Sequence, residues 1–126
     1  MIDKATRNSW TNIKMKSFYE INLNYVFTEQ DYCNMNNGII PKEMEDKWFI
    51  FSEDNIVYFH RSWTGICVYE LVLNKFTNRH IIRVNADINE YISESDDKEI
   101  EKLKNLIRYI NNQYDIYISE SSNALN

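Results

Sequence analysis

The spacing of apolar residues predicts a β-strand near the start of the chain. Within residues 17–28, apolar side chains recur at every second position: Tyr19, Ile21, Leu23, Tyr25 and Phe27. A period of two places them on one face, which is typical of a half-buried strand. The next segment, residues 29–41, is rich in Asn and contains Asn37 followed by Gly38, a pair that suits a tight turn with positive φ. We therefore predict an irregular, turn-rich connection there.

Four consecutive strands are predicted in the middle of the chain. Aromatic and β-branched residues, which favour strands, are concentrated in residues 47–51, 55–61, 66–74 and 80–86. The segments between them are short and carry Ser, Asp, Asn and Thr, side chains that stabilise turns. Residues 52–55 suit a hairpin turn. Strands joined by such short segments pair antiparallel, so we predict an antiparallel meander.

After Ala86 the apolar period changes from two to that of a helix. Asp96 is followed three residues later by Glu99, a spacing similar to a capping box. One apolar stripe then runs along the predicted helix: Ile100, Leu103, Leu106, Ile107 and Ile110. We expect the helix to end at Asn111 and Asn112, a last strand over residues 114–119, and a disordered tail over residues 120–126. The pattern predicts a single α+β domain, residues 1–126, in which an antiparallel sheet of about five strands carries a C-terminal helix packed on one face.

Charge and cysteine content exclude several classes of protein. The net charge of the 126 residues is −5, which repels a phosphate backbone and argues against a nucleic-acid partner. No apolar run approaches the roughly 20 residues of a membrane span, and the first residues lack the apolar stretch of a secretion signal, so a cytoplasmic protein without a membrane partner is expected. Cys33 and Cys67 fit no metal-binding spacing. A disulfide between them stays open, although two free thiols are favoured inside a cell.

The segment at residues 60–65 concentrates residue types that bind ligands. It consists of His60, Arg61, Ser62, Trp63, Thr64 and Gly65. The Arg61 guanidinium matches a phosphate or carboxylate, and Trp63 offers a flat surface for a ring. Gly65 would let the backbone approach an anion, the two hydroxyl groups would add hydrogen bonds, and His60 could donate to phosphate or act as a base. We assign these six residues as a ligand-binding site, with Lys47, Arg83 and Asn85 as supporting groups.

The same segment also has purely structural interpretations. A Trp between two strands often belongs to the core, and an Arg at a strand end often lies in solvent or pairs with an acid. If residues 62–65 form a true connection, the six residues cluster at one end of the sheet, whereas a continuous strand would send alternate residues to opposite faces. The chain has no GxSxG, P-loop, Rossmann or HExxH motif, and we predict neither a metal nor a cofactor.

The stretch from Trp48 to Tyr69 resembles a small bacterial domain of unknown function. That domain has the pattern W-F-x-x-x-E-[DN]-x-x-x-Y-F-H-R-S-W-T-G-x-C-x-Y. The matching residues are Trp48, Phe49, Glu53, Asp54, Tyr58, Phe59, His60 to Gly65, Cys67 and Tyr69, and residues 83–85 are also similar. The domain occurs alone or beside ADP-ribosylglycohydrolase-type domains. The resemblance therefore implies a link to ADP-ribose or to other NAD-derived nucleotides.

Three functions follow as hypotheses. The first is a small, soluble, non-catalytic module that binds an ADP-ribose-like or other NAD-derived nucleotide for sensing or sequestration, including antiphage signalling in bacteria. The second is a small hydrolase or transferase that acts on such a nucleotide with His60 as base. The third is an immunity or inhibitor protein whose acidic C-terminal part meets a basic protein partner. A homodimer through an exposed sheet edge is a further option.

Overall fold

Five strands and two helices follow one another along the chain. The computed structural model describes the backbone of residues 3–125 and the side chains of residues 3–116. The elements are β1 (Phe18–Asn24), α1 (Glu29–Asn37), β2 (Trp48–Glu53), β3 (Ile56–Arg61), β4 (Cys67–Val72), β5 (Arg79–Asn85) and α2 (Asp96–Leu125). The strands form one antiparallel sheet in the order β1-β5-β4-β3-β2. This confirms the predicted α+β fold with a five-stranded antiparallel sheet and a C-terminal helix.

Strands β2 to β5 form the predicted meander, and β1 pairs beside β5. The turn between β2 and β3 consists of Asp54 and Asn55, both with positive φ (54° and 64°). Such a two-residue turn matches the right-handed twist of the paired strands, and Asp and Asn tolerate its backbone conformation better than most residues. The hairpin prediction for residues 52–55 is therefore confirmed.

Helix α1 occupies the segment that was predicted to be irregular. Thr28 caps its start, because the Asp31 backbone N–H donates to Thr28 Oγ1 (3.0 Å) and the Thr28 N–H donates to Asp31 Oδ2 (2.9 Å). Met35 and Tyr32 bury the inner face against the core. The helix ends at Gly38, whose φ is +70°, so the predicted positive φ is found at a helix end. The many Asn residues led to the prediction of a loop, whereas the Thr28 cap and the buried inner face stabilise a helix.

Helix α2 begins at Asp96, as predicted, but does not end at Asn111. The Asn111 amide donates to Asp31 Oδ1 and its carbonyl accepts from Asn34 Nδ2, so its side chain binds α1 and the backbone stays helical. The predicted strand over residues 114–119 is wrong, since this segment is helical and Tyr114 donates to the Gly38 carbonyl (2.8 Å). Residues 120–125 continue the helix, whereas the sequence predicted a disordered tail there; residue 126 lies outside the described residues.

The two faces of the sheet are covered differently. The main core lies on one face, where α1 and α2 pack against the sheet through residues such as Phe59, Leu71 and Leu103. The N-terminal segment crosses the other face: Ala5 packs on Phe49 and Phe51, forming a smaller apolar cluster. A site on this protein can therefore lie under α2 or under the N-terminal segment. In the part of the chain that the structure describes, no helix is both long and apolar enough to cross a membrane.

Candidate functional site

Residues 62–65 form a true connection between β3 and β4. The Gly65 N–H donates to the Arg61 carbonyl and the Arg61 N–H donates to the Ile66 carbonyl, each at 2.8 Å, which closes a tight turn. Gly65 has φ +77°, and a Cβ there would lie 3.2 Å from Asn12 Cα. The glycine is thus needed because the N-terminal segment passes directly over it. This packing accounts for Gly65 without an anion.

His60 is a buried residue on the face covered by the N-terminal segment. Only 1% of it is exposed, and its Nδ1–H donates to the Gly65 carbonyl (2.9 Å). Burial lowers the pKa of its imidazole, so the ring is neutral near pH 7. Its Nε2 is buried and has no hydrogen-bond partner among the described residues. His60 is therefore positioned as a structural ring, stacked on Phe51 with 5.6 Å between ring centroids.

The remaining residues of the turn attach it to the loop before β2. Ser62 Oγ donates to the Asp46 carbonyl (2.7 Å), and Trp63 Nε1 donates to the Met44 carbonyl (2.9 Å). Thr64 Oγ1 accepts from the Ile66 N–H (3.2 Å). The Trp63 ring is 72% exposed, so it is neither core nor part of a cavity wall. These three side chains fix the turn, and the indole face remains in solvent.

A β-bulge in β4 determines which side chains reach each face. Phe59 pairs with Tyr69 and His60 pairs with Cys67, which leaves Val68 as an extra residue. The extra residue reverses the alternation, so that Val68 and Tyr69 both line the α2 face while Cys67 lines the opposite one. Bulges often redirect side chains next to binding sites. Here the bulge adds a second side chain to the floor of a cleft.

A cleft of about 450 Å³ lies between α2 and the sheet. Its floor contains Val68 and Tyr69, and aromatic side chains stand on both sides: Trp48 from β2 and Tyr109 from α2. Other residues that line it are Glu45, Lys47, Arg61, Tyr91, Lys102, Asn105 and Leu106. A cavity of this size with aromatic walls and a few polar groups is typical of a small-molecule site. Of the residues assigned from the sequence, the structure brings Arg61 and Lys47 together here.

Arg61 and Lys47 give one end of the cleft its positive charge. Arg61 lies directly opposite Trp48 in the sheet, and its guanidinium carbon is 5.3 Å from the centroid of the Trp48 ring. Within residues 3–116 neither cation forms an ion pair with an acid. Glu45 lines the same cleft but pairs with neither cation, so a cation beside an aromatic face can here bind an anion from solution.

Glu99 organises the other end of the cleft. Its carboxylate is 0% exposed and accepts hydrogen bonds from the hydroxyl groups of Tyr91 (2.7 Å) and Tyr69 (3.2 Å). Lys102 Nζ lies 3.2 Å from the same carboxylate and also pairs with Glu94. Burial raises the pKa of Tyr91 and of Tyr69, so both phenols stay protonated near neutral pH. Their protons remain available to Glu99.

The sequence interpretation missed the Glu99 cluster, although one pattern could have indicated it. Glu99 precedes Leu103 by four residues, so it lies on the apolar stripe of α2 and must be buried with it. It does not act as the predicted capping residue, because the N-terminal contact is made by Ser95, whose Oγ accepts from the Lys98 N–H (3.4 Å). A buried acid on an apolar stripe requires polar partners, and here they belong to the cleft.

The supporting residues Arg83 and Asn85 lie away from the cleft. Arg83 pairs with Glu70 (3.1 Å) and, like His60, lines a smaller cavity of about 300 Å³ on the opposite face. Asn85 donates to the Cys67 carbonyl (2.8 Å) and to Glu90 (3.0 Å), which fixes the end of β5. The residues assigned from the sequence are therefore divided between the two faces of the sheet, where Arg61 and His60 line different cavities.

The thiols and acids do not assemble into a metal site in the described residues. Cys33 is exposed and Cys67 is buried, and both are free thiols. Burial raises the pKa of the Cys67 thiol, so it stays protonated and unreactive in the fold. No group of three or more His, Cys, Asp or Glu side chains with metal-binding geometry occurs in the part that the structure describes.

Comparison with known proteins finds one relative that matches part of the chain. A stretch of 63 residues is 29% identical to an uncharacterized NAD(P)H oxidoreductase of Haemophilus influenzae. The match covers 49% of this chain, and it spans only 31% of the relative's length. No family model matches the chain, and no solved structure matches it.

Proposed function

We propose that this protein binds a nucleotide of the NAD-derived or ADP-ribose-like class in the cleft between α2 and the sheet, without converting it. The observation that carries this proposal is the pairing of two cations, Arg61 and Lys47, with the aromatic walls Trp48 and Tyr109. A nucleotide presents the complementary groups, an anion and a flat ring. Such a module would sense or sequester its ligand, and antiphage signalling is one setting for it.

The phosphate would bind at the Arg61 end. A guanidinium presents several donors in one plane and binds phosphate oxygens in pairs, while the Lys47 ammonium adds a second positive charge. The Arg61 guanidinium lies against the Trp48 ring. The β3–β4 turn holds Lys47, because the Lys47 carbonyl accepts from the Ser62 N–H (2.9 Å). Ser62 thus supports the site through its backbone.

A flat ring of the ligand would pack against an aromatic wall of the cleft, of which Trp48, Tyr91 and Tyr109 form parts. Stacking of a base on an aromatic side chain contributes about 1–3 kcal/mol. In the sequence hypothesis Trp63 performed this function, but its ring lies in solvent outside the cleft. Trp48, which lines the cleft, would therefore contact the ring in place of Trp63.

Binding without conversion is favoured by the chemistry of the cleft. His60, the base of the enzyme hypothesis, is buried on the opposite face, away from Arg61. The Glu99 carboxylate already accepts from two phenols and an ammonium, so it is poorly suited to accept a proton from a ligand. The name of the partial relative, which refers to NAD(P)H, agrees with a nucleotide of this class.

Calorimetric titration with ADP-ribose, NAD⁺ and cyclic ADP-ribose tests the proposal. We expect saturable binding, with the ligand recovered intact by chromatography. Arg61→Ala should weaken binding about 10- to 100-fold, because a charge-assisted hydrogen bond contributes about 1.5–3 kcal/mol. Arg79→Ala is the matched control, since Arg79 is an exposed arginine of the same sheet outside the cleft. Absence of binding by all three nucleotides, or equal losses in both variants, would contradict the proposal.

An exposed apolar surface supports a protein partner as a second candidate function. Trp63 and Met44 are 72% and 76% exposed, and the Trp63 indole contacts the Met44 backbone carbonyl beside the β3–β4 turn. The Trp63 ring is fixed by its bond to the Met44 carbonyl, and preorganised tryptophans are frequent at the centres of protein interfaces. A purified partner should bind the wild type and not Trp63→Ala, while Arg61→Ala should bind it normally. Unchanged partner affinity in Trp63→Ala would refute this candidate.

A further inference from the structure

The two ends of the α2 cleft differ in electrical character. Along α2 the cleft extends from Lys102 to Tyr109, seven residues or roughly 10 Å of helix. Arg61 and Lys47 supply two positive charges to the cleft from the sheet and the loop before it, and Glu45 of the same loop supplies one negative charge, so one positive charge is in excess there. Lys102 lies beside the buried carboxylate of Glu99. A ligand in the cleft therefore meets different chemistry at its two ends.

The hydrogen bonds of Glu99 determine what its end of the cleft can offer. Tyr91 donates its hydroxyl proton to Glu99, and the Tyr69 hydroxyl lies 3.2 Å from both Glu99 and the Tyr91 oxygen. Tyr69 is buried and the Tyr91 oxygen also accepts from Lys102, so at this end Tyr91 can accept a hydrogen bond from a ligand and cannot donate one without breaking its bond to Glu99.

The ammonium of Lys102 does not make this end cationic. It contacts three oxygens, from Glu94, Glu99 and the Tyr91 hydroxyl, which matches its three donors. The ion pair with Glu94 raises the pKa of Lys102, so the ammonium persists near neutral pH together with its two carboxylates. Two negative charges accompany one positive charge. A phosphate is thus disfavoured here and favoured at Arg61.

We propose that the Glu99 end of the cleft selects a ring that carries delocalised positive charge, so that the preferred ligand is a phosphorylated pyridinium nucleotide with its phosphate at Arg61 and Lys47. This inference rests on the proposed function and specifies its ligand. The excess of carboxylate over ammonium at this end attracts a cationic ring by Coulomb attraction. The Tyr91 oxygen can accept from the N–H of a carboxamide that such a ring carries. A volume of about 450 Å³, in the lower part of the range for ligand pockets, is enough for one such nucleotide unit, alone or as half of a dinucleotide.

Titration with three probes separates this inference from the proposed function. The probes are nicotinamide mononucleotide, whose ring is cationic, its reduced dihydro form, whose ring is neutral, and AMP. We expect the oxidised form to bind at least 10-fold more tightly than the reduced form and AMP at 50 mM salt. Equal binding of all three would overturn the inference and leave nucleotide binding intact. No binding by any probe would overturn both.

Charge-neutralising variants test whether Glu99 and Glu94 cause the selectivity. Glu94 is partly exposed on the loop before α2, so Glu94→Gln should fold, whereas Glu99→Gln changes a buried group. In each variant the preference for the cationic ring should fall at least threefold, while affinity for the reduced form stays within twofold. Glu101→Gln, on the exposed side of α2, should keep the wild-type preference. If Glu99→Gln does not fold, Glu94→Gln decides, and an unchanged preference in it would overturn the inference.

Discussion

Gly38 joins three elements, and we predict that replacing it with alanine strongly destabilises the fold. Its backbone has φ +70° and ψ −165°, a region that is almost restricted to glycine. A Cβ at this position would lie 2.1 Å from the Ile50 carbonyl oxygen, which is backbone and cannot rotate away. The Gly38 carbonyl also accepts the hydrogen bond of Tyr114 from α2. Gly38→Ala must therefore move α1, β2 or both.

The expected loss follows from these contacts. The unfavourable backbone conformation costs about 1–3 kcal/mol. To relieve the clash, Ile39 must move from Ile50, with which it exchanges two backbone hydrogen bonds (2.9 and 3.0 Å). Each such bond contributes about 0.5–1.5 kcal/mol. We therefore expect Gly38→Ala to lower the free energy of unfolding by about 2–6 kcal/mol, a large part of the 5–15 kcal/mol typical of a protein.

Urea denaturation followed by far-UV circular dichroism and tryptophan fluorescence measures this loss. Asn36→Ala is the matched control, because it adds alanine to the same helix at an exposed position. It should change the free energy of unfolding by no more than about 0.5 kcal/mol. A loss of less than 1 kcal/mol in Gly38→Ala would show that the junction yields easily, and the reasoning from the Cβ contact would be wrong.

Three further predictions concern pH, the core and the thiols. His80 Nδ1 accepts from the Asn74 N–H and Nε2 donates to the Tyr25 carbonyl, and burial lowers the pKa of His80 and of His60. The unfolded chain therefore binds more protons than the folded protein, so the free energy of unfolding should fall as pH drops below about 6.5. A urea midpoint at pH 5.5 that equals or exceeds the midpoint at pH 7.5 would refute this. Leu103→Ala, at a fully buried position, should cost about 2–5 kcal/mol in the same assay, and a loss below 1 kcal/mol would contradict the packing. A thiol reagent should label Cys33 in the folded protein and Cys67 only in urea, so rapid labelling of both without urea would refute the burial of Cys67.

Local patterns predicted most of the elements because their causes are local. A period of two requires only that one side of a strand be buried, and the apolar stripe of α2 requires only one buried helix side. The hairpin at Asp54 and Asn55 also follows from the conformational preferences of those two residues. In each case the residues that determine the structure are adjacent in the chain, so the sequence by itself determined the sheet, the meander and the start of α2.

Contacts between distant residues decided the remainder. Asn111 continues α2, instead of ending it, because α1 supplies partners for its amide. Strand β3 continues to Arg61, so His60 and Arg61 alternate onto opposite faces of the sheet, which divides the six-residue segment that the sequence presented as one site. The packing of α2 on one face and of the N-terminal segment on the other gives each of these two residues a separate cavity. The buried Glu99 carboxylate accepts hydrogen bonds from Tyr69 on the sheet and Tyr91 on a loop, and neither partner could be predicted from the position of Glu99 in the chain. Hydrogen-bond partners and cavity walls come from separate elements, and only their packing in three dimensions brings them together.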